Sequence, residues 1–198
     1  MRPQLVGLSL GDSPERWNAL GFSVEQRRCT LGGIALELGT PGEGITGWAV
    51  SGLDSELDGL PLTYVGTPAP ETAHPNGATG IDHVVVVTPD FDRTAAALAT
   101  AAMPLRRVIK RPDGGRMGFR RLGPAILELV EAAEAGPGPA RFWGLTLVVS
   151  DLDALVERLG EHLGPVRDAV QPGRRIATLS RRAGLGEAMA FMSPTGAS

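Results

Sequence analysis

"GIDHVVVVTPDFDRTAAALAT", residues 80–100, decides the fold. Four consecutive valines, 84–87, are β-branched and too short a run for a membrane span, so they read as a buried strand. A Thr-Pro-Asp turn stops the strand, and "DRTAAALATAA" (92–102) is rich in helix formers. The same grammar returns in "LTLVVSDLDALVERL" (145–159): apolar strand, D-x-D turn, leucine-bearing helix. A second repeat links "RLGPAILELV" (121–130) with "TLGGIALELG" (30–39), both Leu-Gly followed by Leu-Glu-Leu. Internal repetition of this kind fixes architecture before any single element does.

Working outward gives three units of strand, helix and three further strands. The middle unit has strand "DHVVVV", the alanine-rich helix, then "LRRVIKR", "RMGFRRL" and "AILELVE". The last has "FWGLTLVV", a helix over 151–163 with Ser150 as N-cap and Asp153 in a capping box, then "PVRDAVQ", "RRIATLS" and "EAMAFMS". Leu152, Leu155, Val156, Leu159 and Leu163 follow helical spacing. The first unit has "QLVGLSL", a short helix opened by Ser13-Pro14, and strands "FSVEQRRC", "GIALELG" and "TGWAVSGL". The predicted organisation is an N-terminal degenerate βαβββ unit (1–65), a Pro/Gly-rich linker (66–79), and a paired domain (80–198) with units at about 80–135 and 141–194. One such unit cannot cover both faces of its sheet, so units should pair. The odd first unit is expected to pair with its copy in a second chain, giving a homodimer, or to close onto the paired domain, the former slightly favoured.

Composition narrows the function. Apolar residues are 42% of 198, enough for a sizeable core. A net charge of −3 with no basic stripe argues against nucleic acid. No apolar run is long enough for a membrane span, and the N-terminus lacks a signal-peptide pattern. A single cysteine, Cys29, excludes an internal disulfide, which fits a cytoplasmic protein. "GEGITG" (42–47) matches a dinucleotide fingerprint, but a strand-like "WAVSGL" follows where a helix is required.

Tandem βαβββ units, with His83 on the first strand of one and Glu128 on its last, resemble the vicinal oxygen chelate superfamily. That group includes glyoxalase I, extradiol dioxygenases, methylmalonyl-CoA epimerase and bleomycin-resistance proteins. The resemblance covers 80–194 and implies an α+β fold, a curved cup-like sheet with helices outside. It also implies a divalent metal held at four corners, one on the first and one on the last strand of each unit. His83 and Glu128 match two corners. Gly144 and Ala190 stand at the other two and cannot bind a metal. The expected function is therefore a metal-free, glyoxalase-like protein that binds a small, anionic molecule, with no cofactor. The alternative is a lyase, isomerase or dioxygenase using one divalent ion at His83 and Glu128.

Other residues carry competing readings. His83 and Glu128 serve either as a structural pair or as a ligand-contacting pair; the latter makes His83 a donor to an anion. Arg116 and Arg120 share one face of a strand and would contact an anionic ligand if that face lines the cup; solvent-facing positions are the plainer alternative. Asp82 and Asp90 read as turn residues, and His74 as a linker residue able to swing into the cup. His162 reads as solvated, Cys29 as a buried thiol, and Trp17, Trp48 and Trp143 as core or unit-interface residues.

Overall fold

The structure, a computed structural model, describes residues 2–64, 72–132 and 136–196. An eight-stranded sheet forms the paired domain. Its strands are β5 (Ala78–Thr88), β6 (Arg107–Lys110), β7 (Arg116–Leu122), β8 (Ala125–Glu131), β9 (Arg141–Val149), β10 (Arg167–Asp168), β11 (Arg175–Thr178) and β12 (Ala188–Met192). They lie in the order β10-β11-β12-β9-β5-β8-β7-β6. Each first strand runs parallel to its unit's last, β5 beside β8 and β9 beside β12, while β5 and β9 meet antiparallel at the centre. Two βαβββ units thus make one sheet about a pseudo-two-fold axis, as the sequence repeat predicts.

Helix α2 (Phe91–Thr100) follows β5 and α3 (Leu152–Leu159) follows β9. Asp90 and Asp151 cap them, each side chain accepting from the backbone N–H three residues on, at 3.0 Å, worth about 1 kcal/mol each. The cap of α3 is therefore Asp151 rather than the expected Ser150, and Asp153 instead pairs with Arg175 at 2.8 Å. Leu152, Leu155 and Leu159 of α3, and Phe91, Thr94 and Leu98 of α2, are buried against the sheet. A buried leucine contributes roughly 1.5–3 kcal/mol by leaving water. Gly160, at φ +52°, ends α3 early, and a 3-10 turn over 160–162 replaces its expected last turn. His162 is half-buried there, with Nδ1 in no hydrogen bond among the described residues, where the sequence suggested solvation.

The N-terminal unit has β1 (Leu5–Leu10), α1 (Pro14–Ala19), β2 (Arg28–Leu31), β3 (Ile34–Glu37) and β4 (Ile45–Val50), in sheet order β2-β3-β1-β4. Strand β3 is parallel to β1, as β8 is to β5, so the "LGGIALEL" and "LGPAILEL" hairpins are equivalent. "FSVEQR" supplies no strand, because Gln26 and Arg27 turn at positive φ before β2 begins. Strand β4 pairs antiparallel on the free side of β1, the place β9 takes beside β5. It begins at Ile45, inside "GEGITG" (42–47), so no dinucleotide-binding helix start exists there.

This second sheet closes onto the helix-covered face of the large one within the same chain. Phe22 stacks on Phe191 at 6.4 Å, and Trp48 meets Phe142 edge-on at 5.6 Å. Trp17, Trp48, Leu8, Leu36, Leu147 and Phe191 join one continuous core. Of the two expected arrangements, the second is the one seen: the first unit closes onto the paired domain of its own chain. His74 is a clamp and not a cup residue. Its Nδ1 accepts from Ser23 N–H at 3.0 Å, and its Nε2 lies 2.9 Å from the Thr30 carbonyl. Cys29 lies beside it, and burial pushes its thiol up to about 12. No helix among the described residues is long and apolar enough to cross a membrane.

Candidate functional site on the concave face

Two bulges set which side chains enter the cup. In β5, Ile81 pairs with Leu147 and His83 with Thr146, so Asp82 is an extra residue. In β9, Gly144 pairs with Val85 and Phe142 with Val86, so Trp143 is extra. Bulges re-aim side chains locally. Ile81, Val84 and Val86 therefore join the helix-covered core, while His83 and Val85 face the concave side with Thr146 and Gly144. Trp143 stands 53% exposed on its bulge, outside the core that the sequence suggested for it.

Glu128 pairs with Val85 on one side and Phe119 on the other, which puts it on the same face as His83. The two side chains meet, His83 Nε2 lying 3.8 Å from Glu128 Oε2, both largely buried. Asp82 occupies the other imidazole nitrogen: Nδ1 to Oδ2 is 2.9 Å. Arg174, from the loop before β11, donates from Nη1 to Asp82 Oδ1 at 2.5 Å and from Nε to the Ser193 carbonyl at 2.8 Å. A line Arg174–Asp82–His83–Glu128 thus crosses from one unit to the other.

Its electrostatics are uneven. Burial would raise the Asp82 carboxyl, but hydrogen bonds from His83 and Arg174 more than offset that and hold it below the ordinary carboxylate range. An ionised Asp82 accepts from His83 Nδ1 and so holds the ring with Nε2 toward Glu128. Glu128 is shifted upward. Burial is the main cause and Asp82 adds to it, while His83 and Arg111 oppose it. An oriented imidazole and an upward-shifted carboxyl therefore stand side by side, an arrangement suited to hydrogen bonding a polar ligand group or moving a proton.

Arg116 and Arg120 lie elsewhere. Met117, Phe119 and Arg121 carry the concave parity of β7, so Arg116 and Arg120 face the helix side. Arg116 is spent on Glu131 at 2.8 Å and Asp92 at 2.7 Å, with its guanidinium over the Phe91 ring. Arg120 Nε is buried with no hydrogen-bond partner among the described residues. Neither reaches His83's face. The residues missed by sequence reading are Asp82 and Arg174. Asp82 looked like a turn residue, and only the Asp-His doublet at a strand start hinted at its role. Nothing local marks Arg174, which stands 92 positions away.

The pairing register confirms which positions correspond. Glu128 lies opposite the residue two beyond His83, and Ala190 lies opposite the residue two beyond Gly144. The fold is two βαβββ units joined edge to edge in one eight-stranded sheet. Methylmalonyl-CoA epimerase from Mycobacterium tuberculosis is similar at 23% identity and TM-score 0.49, covering 60% of this chain and 90% of that one. The Streptomyces coelicolor epimerase, solved with 2-nitronate-propionyl-CoA, is similar at 18% identity and TM-score 0.49, covering 60% and 96%. A hypothetical protein from Bacillus halodurans is similar at 16% identity and TM-score 0.48, covering 60% and 96%. No protein-family model and no curated protein matches the sequence.

The divalent metal that the sequence resemblance implies does not fit the residues present. Gly144 and Ala190 offer no donor atom, and Asp82 is committed to Arg174 and His83. Among the described residues, no three of His, Cys, Asp or Glu converge. A protein-bound zinc takes at least three protein ligands, so two do not fit a resident ion. Gly144 is also sterically fixed: a Cβ there would lie 2.2 Å from the Ala188 carbonyl oxygen, so no ligating side chain can stand at that corner in this register.

Proposed function

We propose that this chain is a metal-free, small-molecule-binding protein of the vicinal oxygen chelate type, taking its ligand on the concave face against His83 and Glu128. The meeting of those two side chains at 3.8 Å, opposite a glycine and an alanine, carries the reading. Phe119, Met117 and Val85 supply an apolar wall beside the pair. Arg116 and Arg120, expected to contact an anion, lie on the other face, and Arg121 is the arginine of β7 that shares the parity of Phe119. A polar group able to hydrogen-bond with His83 Nε2 or share a proton with Glu128 fits the floor.

A second reading, an enzyme that moves a proton at the ligand, is favoured by one observation. Asp82 holds His83 by Nδ1 while Glu128 is shifted upward, which is how acid–base pairs are set apart. The test is a thermal-shift screen of small organic acids, amides and thioesters on the untagged protein. A ligand present at a hundred times its Kd adds about 2.7 kcal/mol to native stability. The proposal expects hits that raise the melting temperature of the natural protein and not of His83→Ala. Hits unaffected by both His83→Ala and Glu128→Gln would refute it. Turnover of a hit, lost in His83→Ala, would promote the second reading.

A further inference from the structure

A buried pair of carboxyls lies where the two sheets join. Asp12 follows β1 and is 5% exposed; Glu187 precedes β12 and is 7% exposed. Asp12 Oδ1 accepts from Gly186 N–H at 2.8 Å, tying the N-terminal sheet to the loop before β12. Asp12 Oδ2 and both Glu187 carboxyl oxygens meet no donor from the rest of the chain among the described residues. The backbones interlock here: a Cβ on Gly186 would lie 2.4 Å from Gly44 N. The carboxyl oxygens are buried under this interlock, at the wall of an open cleft that Asp12, Gly186 and Glu187 help to line.

We propose that Asp12 and Glu187 share one proton and act as a latch that holds the N-terminal sheet to the cup and loosens as pH rises. Two neighbouring carboxylates with buried oxygens repel each other when both ionise. Burial first, and the Asp12 carboxyl second, hold the Glu187 proton well above the ordinary range. The charged groups bordering the joint do not replace that proton. Arg16 of α1 donates to the Gly184 carbonyl, and Glu43 before β4 is a further negative charge. Arg141 of β9 and Arg181 line the open cleft of about 990 Å³ beside the joint and are themselves exposed. Arginines keep their charge in proteins, so the change with pH belongs to the carboxyl pair.

The sign follows from linkage. A carboxyl whose folded pKa is raised gives a stability that is whole below its unfolded value, near 4.3, and lost as pH rises towards the folded value. Urea unfolding between pH 4 and 9 of the natural protein, Glu187→Gln and Asp12→Asn tests the latch. Asp12→Asn retains Oδ1 for Gly186 N–H, and either change leaves at most one ionisable group. The expected result is an unfolding constant for the natural protein that rises against either variant by up to tenfold per pH unit within the window. Thiol labelling of Cys29, buried in β2, reads local opening of the N-terminal sheet. At pH 9 it should run faster in the natural protein than in Glu187→Gln, and at pH 5 equally. A ratio of unfolding constants that stays flat across pH, or equal labelling at every pH, overturns the proposal.

Discussion

Replacing Arg174 by Met tests the line that orders the site. Arg174 and Asp82 side chains are 8% and 11% exposed, so the pair is nearly dry. Met keeps most of the side-chain length and apolar contact but removes both hydrogen bonds, one to Asp82 and one to the Ser193 carbonyl. Leaving a buried charge without its partner costs about 3–5 kcal/mol. His83 Nδ1 still donates to Asp82, which places the expected loss at the lower end, about 3 kcal/mol at pH 7. For a chain of this length that is a fall in Tm of roughly 6–12 °C. The loss must shrink in acid. Asp82 is held below its ordinary range, so its contribution is present above an unfolded value near 3.9 and disappears as pH falls through the folded one. Urea unfolding at pH 7 and below pH 4, in a double-mutant cycle with Asp82→Asn, measures the coupling. A loss under about 1 kcal/mol at pH 7, a typical exposed-pair value, would refute the buried-pair reasoning. So would a loss that does not diminish in acid.

Three further outcomes follow from the same structure. Glu128→Gln should raise stability at pH 7, because burial makes the charged form costly; the gain should vanish below about pH 4, where an unfolded Glu is also protonated, and urea titration at both pH values checks it. Gly144→Ala puts a methyl on the Ala188 carbonyl and should cost about 3 kcal/mol, the upper end for overpacking; a neutral result in chemical denaturation would show the β9–β12 register to be wrong. Leu155→Ala, in the buried face of α3, should cost about 2–5 kcal/mol, read by the same assay, and leave ligand-induced shifts in Tm unchanged.

Much of the architecture was legible because its signals are periodic and repeated. The valine run, the D-x-D turns and the leucine spacing locate β5, β9, α2 and α3 within a few residues of where they stand. The register that makes Gly144 and Ala190 the counterparts of His83 and Glu128 follows from aligning the repeats. What stayed hidden is what breaks periodicity by one residue. The bulge at Asp82 turns an apparent turn residue into His83's partner, and the bulge at Trp143 puts an indole into solvent. Strand alternation told which arginines share a face with Arg116 but not which face is inward; only the pairing of β7 with β8 decides that. The N-terminal strand order was written in the Leu-Gly/Leu-Glu-Leu repeat, which aligns β3 with a unit's last strand and leaves β4 to play the neighbour. Contacts between distant segments, Arg174 with Asp82 and Asp12 beside Glu187, have no local signature at all.

Elemental analysis of the untagged protein, purified without chelator, tests the central claim most directly, because a metal-free ligand floor and a resident ion are alternatives for the same two side chains. The account predicts less than about a tenth of an ion of zinc, iron or manganese per chain, since two ligands hold a divalent metal poorly. One ion per chain, lost in both His83→Ala and Glu128→Gln, would contradict it.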